Sequence, residues 1–143
     1  MARPGNVVVA GTFNCIHDGH RRLLSIAFNS GEQVFVGLTS DEFARRLKGE
    51  CLPFAKRKKA LARELAKFGK NWEIVEIEDE IGFTDEVEEL DAIVASEETG
   101  KNAELVNKVR ASNGMKPLEV IVIPLVKDGA GRKLSCRNMA KEK

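Results

Sequence analysis

One ten-residue stretch constrains this chain more than any other: Gly11-Thr12-Phe13-Asn14-Cys15-Ile16-His17-Asp18-Gly19-His20. A short apolar run, Val7-Val8-Val9-Ala10, precedes it, and a broad helical stripe of Leu23, Leu24, Ile26, Ala27 and Phe28 follows. The order is strand, glycine-marked turn, helix start. A continuous apolar run marks a central strand buried on both faces. Where such a strand feeds a helix N-terminus, α/β proteins bind phosphates. The chain's only two histidines, His17 and His20, stand at that point.

The rest of the chain repeats the alternation. Asn29-Ser30-Gly31 stops the first helix, predicted over 21–29, and residues 33–39 read as a second strand. Ser40 is a candidate N-cap, with Asp41 and Glu42 in the first turn of a short helix ending at Arg46 or Leu47. Residues 48–52 read as a loop. Pro53 suits the first turn of a third helix, which carries Phe54, Leu61, Leu65 and Phe68 on one side and stops at Gly69.

Residues 72–77 alternate apolar with acidic, as a strand nearer an edge does. An acidic, irregular connection over 78–89 leads to a fourth strand at 91–95, with a helical turn expected after Thr84. A helix over 101–112 stops at Asn113-Gly114, and a fifth strand over 118–123 is closed by Pro124. The tail reads as loop, then a short helix over 134–140. This pattern predicts a doubly wound, Rossmann-like parallel five-stranded sheet with helices on both faces. The strand ends at 11–20, 39–41 and 96–99 should converge on one cleft.

A chain of 143 residues favours one domain, here 1–143, and at this size about two thirds of the unfolded surface can be buried. The net charge of +1, from 23 basic and 22 acidic residues, argues against general nucleic-acid binding. The cysteines, Cys15, Cys51 and Cys136, are odd in number and lack CxxC spacing. Neither a disulfide framework nor a structural zinc site is expected, and a reducing cytoplasm fits best. No apolar signal core precedes the first strand, and no run approaches the roughly 20 residues needed to span a bilayer.

The turn's residue types suggest a chemistry. Gly11 and Gly19 let phosphates approach the backbone, and first-turn amides offer donors in a favourable dipole. His17 enters from the turn and His20 from the helix start, so both imidazoles can reach one phosphate, and Thr12 adds a hydroxyl. Donors without an obvious nucleophile suit direct displacement at phosphorus. Neither a Walker A loop nor a G-x-G-x-x-G fingerprint is present. A metal site from Cys15, His17 and His20 lacks further ligands, and Cys15 reads as a small packing residue. Lys56-Arg57-Lys58-Lys59 reads as a solvated helix face, with Arg57 the exception to watch, and the acidic residues of 73–89 read as surface.

His17-Asp18-Gly19-His20 after Gly11-Thr12-Phe13 resembles the HxGH signature of the nucleotidylyltransferase superfamily. Ser135-Cys136-Arg137 resembles its second signature, ISSTR. The stretches 37–41, 91–99 and 107–123, with Arg110, resemble the archaeal type of phosphopantetheine adenylyltransferase. That resemblance implies transfer of AMP from ATP to 4'-phosphopantetheine, giving dephospho-coenzyme A and pyrophosphate, with Mg²⁺. It implies that His17 and His20 contact the ATP phosphates and that Thr12 binds the attacking or transferred phosphate. Gly11, Phe13, Gly19 and Ser96 would complete the ATP site, and Ser135 and Arg137 would hold the β- and γ-phosphates. Lys48 matches a position that contacts the acceptor phosphate, with Arg45 and Arg57 as further candidates.

The chain departs from the family pattern in two places. Asn14 stands where the family commonly has Asp, and Leu134 and Cys136 replace two hydroxyl residues of the tail motif. Two rivals follow: another acceptor, such as flavin mononucleotide, a nicotinamide nucleotide or an alcohol phosphate, or a nucleotide-binding module that has lost catalysis.

Overall fold

The computed structural model describes residues 5–69, 71–96 and 100–124. Its strands are β1 (Asn6–Gly11), β2 (Gln33–Thr39), β3 (Trp72–Ile77), β4 (Ala92–Ser96) and β5 (Glu119–Ile123). Its helices are α1 (Asp18–Ser30), α2 (Asp41–Lys48), α3 (Phe54–Ala66) and α4 (Gly100–Ser112). All described strand pairings are parallel, in the order β3-β2-β1-β4-β5. The chain therefore reverses direction across the sheet between β1 and β4. That reversal opens a crevice at the carboxyl end of β1, where ligands of open α/β sheets bind.

Side-chain alternation along β1 explains the two-faced core. Val7 and Val9 pack with Leu24 and Ala27 of α1 and Leu61 and Leu65 of α3 on one face. Val8 packs with Ala103 and Val106 of α4 on the other. Helices thus cover both faces over residues 7–9, while Ala10 is exposed toward the strand's carboxyl end. The edge position expected for β3 is observed. On the opposite edge, β5 leaves Val120 and Val122 exposed. The final-helix reading lies outside the described residues.

Several details differ from the sequence reading. Helix α1 begins at Asp18, ahead of the apolar stripe, because His17 caps it. The connection after β3 forms turns at residues 81–87 and is only partly surface. Its carboxylates face outward, but Leu90 is fully buried and Ile81, Phe83 and Val87 pack on the α4 side of the sheet. Four apolar residues scattered among acids carry no period, so the pattern alone does not reveal this packing.

Candidate active site

The turn after β1 is built on an unusual helix cap. His17 is the N-cap of α1, and its Nδ1 accepts the backbone N–H of Gly19 at 3.0 Å and of His20 at 3.4 Å. His20, at the third helical position, answers: its Nδ1 accepts the N–H of His17 at 3.3 Å. This is a capping box made of two imidazoles in place of the usual hydroxyl and carboxylate. The rings stack with centroids 3.8 Å apart and planes 18° from parallel.

The cap fixes the chemistry of both rings. A backbone N–H can only donate, so each Nδ1 is an acceptor and carries no proton. The proton of each neutral ring then sits on Nε2, on the far side of the ring from the backbone. The sequence reading expected first-turn amides to meet phosphate directly. In the structure those of Gly19 and His20 donate to His17 Nδ1.

Phe13 explains Gly11. Its backbone is in the left-handed region at φ 49°, a strained conformation for a bulky residue. Its ring folds back so that a Cβ on Gly11 would lie 3.0 Å from it. The missing Cβ of Gly11 therefore makes room for the Phe13 ring. The ring is only 2% exposed and lies 4.9 Å from the His20 ring. It supports the histidine and offers no open surface to a ligand.

Thr12 meets Thr39 across the ends of β1 and β2, with 3.2 Å between their hydroxyl oxygens. Behind them lies Arg57, fully buried. Its Nε donates to Leu52 O at 2.7 Å, and the two hydrogens of one terminal nitrogen are shared among Thr12 O, Thr39 O and Thr39 Oγ1 at 3.1, 2.9 and 3.1 Å. The other terminal nitrogen pairs with Asp41 Oδ1 at 3.0 Å. An acceptor-binding role was expected of Arg57. The structure engages its guanidinium from the inside, with the strand ends and the loop before α3. Asp41 also accepts the N–H of Phe54, capping α3 from a distance.

Asn14 takes part in the same fastening: its Oδ1 accepts the N–H of Leu52 at 2.7 Å. A neutral amide carbonyl therefore stands where the family's carboxylate would be. Cys15 is disulfide-bonded, which corrects the expectation that the cysteines form no disulfide; Cys51 is a free thiol. Spacing along the chain gave no sign of that pairing.

The remaining candidates scatter. Ser96 ends β4 at the same carboxyl end of the sheet and is half-buried, and Gly19 lies in the first turn of α1. Arg45 is exposed on α2, and Lys48, expected in a loop, is the last residue of that helix. The Lys48 side chain, Thr99, Ser135 and Arg137 lie outside the described residues. Beside the turn, Arg21 bonds Asp18 and Glu64, joining α1 to α3. The hydrogen bond from Arg21 is the main cause holding the Glu64 carboxyl below its ordinary range. Sequence reading did not single out Thr39 as a site residue; its place at a strand's carboxyl end was the available signal.

Among the described residues no cluster of three or more His, Cys, Asp or Glu could hold a metal ion. No helix among them is long and apolar enough to cross a membrane.

The two stacked imidazoles thus stand at a strand-turn-helix start at the sheet's switch point, where open α/β folds bind ligands. Residues 8–140 match the cytidylyltransferase-like family model. The chain is 46% identical to the phosphopantetheine adenylyltransferase of Pyrococcus horikoshii, over 94% of this chain and 87% of that one. It is 43% identical to that of Methanopyrus kandleri, over 99% of this chain and 92% of that one. A solved structure of a protein with unknown function from Archaeoglobus fulgidus superposes with a TM-score of 0.77 at 31% identity, covering 82% of this chain and 88% of that one. The chain belongs to the cytidylyltransferase-like family and, within it, to the family of the archaeal phosphopantetheine adenylyltransferases.

Proposed function

We propose that the chain transfers AMP from ATP to 4'-phosphopantetheine, giving dephospho-coenzyme A and pyrophosphate. The observation that carries this reading is the double-histidine cap, which turns one side of each imidazole to the backbone and leaves Nε2–H as the outward donor. The relatives' shared activity supplies the acceptor.

In this reading an oxygen of the acceptor phosphate attacks the α-phosphorus of ATP. A new P–O bond forms as the bond from the α-phosphorus to the α,β-bridging oxygen breaks, and pyrophosphate leaves with that oxygen. The phosphate nucleophile is already anionic, so no general base is needed. The protein's task is to hold the two phosphates in line and stabilise the developing charge. His17 and His20 donate through Nε2–H to the ATP phosphates. Thr12 donates its hydroxyl to the attacking or transferred phosphate, and Ser96 lies on the nucleotide side. The described residues present donors, not a carboxylate cage, so a resident metal does not fit this set. Mg²⁺ would arrive on the phosphates of ATP, as this ion commonly does.

Pyrophosphate release is the test. The protein with Mg²⁺ and ATP is offered 4'-phosphopantetheine, flavin mononucleotide, nicotinamide mononucleotide and glycerol 3-phosphate in parallel. Turnover with 4'-phosphopantetheine at a kcat/KM at least 10²-fold above the others is expected. Turnover with another acceptor alone, or ATP binding without any turnover, would overturn the reading.

A further inference from the structure

The inner wall of the cleft contains a hydrogen-bond chain whose direction is set from one end. Arg57 is fully buried, and a guanidinium has five N–H donors and no acceptor. One of its terminal nitrogens reaches Thr39 Oγ1 at 3.1 Å, so Thr39 must accept there. The Thr39 hydroxyl proton is then left for its other neighbour, Thr12 Oγ1, at 3.2 Å. Thr12 in turn accepts, and its own proton must point away from Thr39. Both threonines are nearly inaccessible, at 8% and 2% exposure, so solvent offers little alternative.

We propose that Arg57 and Thr39 are positioning residues that fix the Thr12 hydroxyl as a hydrogen-bond donor toward a bound phosphate. The relay runs Arg57 N–H to Thr39 O–H to Thr12 O–H to phosphate oxygen. Polarity matters because a hydroxyl can equally present its lone pairs, and a lone pair facing a phosphate oxygen repels it. The arginine also holds the carbonyls of Thr12 and Thr39, so it fixes the strand ends as well as the proton order. A donor oriented before the ligand arrives need not reorganise during reaction. The proposal rests on the reading of the cleft as a phosphoryl-transfer site with Thr12 at the phosphate.

The test is a double-mutant cycle, since a residue acting through Thr12 loses its effect when that hydroxyl is gone. Thr12→Val is expected to lower kcat about 10²-fold, the usual order for one lost transition-state donor. Thr39→Val, nearly isosteric, is expected to lower kcat about tenfold while the protein stays folded. Thr39→Ser, which restores the hydroxyl, is expected to return kcat to within about twofold of the parent. The double variant Thr12→Val/Thr39→Val should be no slower than Thr12→Val alone. Additive losses, or a Thr39→Ser variant as slow as Thr39→Val, would overturn the relay. A parent protein that binds ATP but turns over no acceptor would sink the functional reading instead. The same cycle is then read on ATP affinity by calorimetry, where non-additivity supports the relay and additivity overturns it. A parent that does not bind ATP overturns both.

Discussion

Among the described residues two arginines are fully buried, at opposite ends of the sheet. Arg57 lies at the carboxyl ends of β1 and β2, and Arg110 lies at the amino ends of β4 and β5. Arg110 donates to the carbonyls of Thr84, Val87, Glu88 and Lys116 at 2.6–3.4 Å. It thereby pins the irregular connection after β3 and the approach to β5. Arg57 also gathers carbonyls, but it adds a hydroxyl at the cleft and a carboxylate, Asp41. Burying a guanidinium costs heavily unless its donors are satisfied, and both solve that problem with several acceptors. The difference lies in what the acceptors belong to. At one end they are loop carbonyls and the result is a held chain; at the other they include groups of the candidate site.

The largest separation should come from the site itself. His17→Ala is expected to lower kcat by about 10²–10³ and, by removing the α1 cap, stability by about 1 kcal/mol. Steady-state rates and urea unfolding measure the two losses. Retained rate would erase the functional distinction between the two ends. The arginines themselves come next. Arg57→Met and Arg110→Met each orphan several buried carbonyls and should lose about 3 kcal/mol in urea titrations. Scaled to the folded fraction, kcat should fall at least about tenfold for Arg57→Met and stay within about twofold for Arg110→Met. Equal effects on kcat would break the comparison.

A smaller effect belongs to the amino end. Asp91 accepts from the N–H groups of Gly5 and Asn6 and pairs with Lys116 at 2.6 Å. Lys116 is the main cause holding its carboxyl below the ordinary range, with the two backbone N–H groups adding to it. A carboxyl depressed in the folded state stabilises fully above its unfolded value, about pH 4, and loses that stabilisation as pH falls through the lower folded value. Asp91→Asn should therefore flatten the acid limb of the stability curve while leaving kcat at neutral pH alone. An unchanged acid limb in urea midpoints between pH 2.5 and 6 would contradict it. Smallest of all, Lys56→Ala and Lys58→Ala flank Arg57 in the same basic run but are exposed. Both should stay within about 0.5 kcal/mol of the parent.

The strand order of events was legible because both faces of β1 are covered and the turn carries its glycines and histidines openly. The helix start was not, since histidine is an uncommon cap and only the fold brings Nδ1 onto the amides. The reading of Lys56-Arg57-Lys58-Lys59 as a solvated face holds for the three lysines. It does not hold for Arg57, which the helix rotates inward under β1 and β2, although the chain marked it only as a possible exception. Arg110 shows the same limit: nothing local distinguishes a surface arginine from one that ends up beneath a folded-back loop. Gly11 was noticed for a sound physical reason, space, but the occupant of that space is Phe13.

The central claim is that the helix start locks both imidazoles with Nδ1 inward and Nε2–H outward. With two histidines in the chain, the ring-nitrogen NMR spectrum contains two imidazoles. At neutral pH each ring is expected to show an unprotonated Nδ1 and a protonated Nε2, with both Nε2 resonances shifting when ATP and Mg²⁺ are added. A proton on Nδ1 of either ring, or Nε2 signals indifferent to ATP, would contradict it.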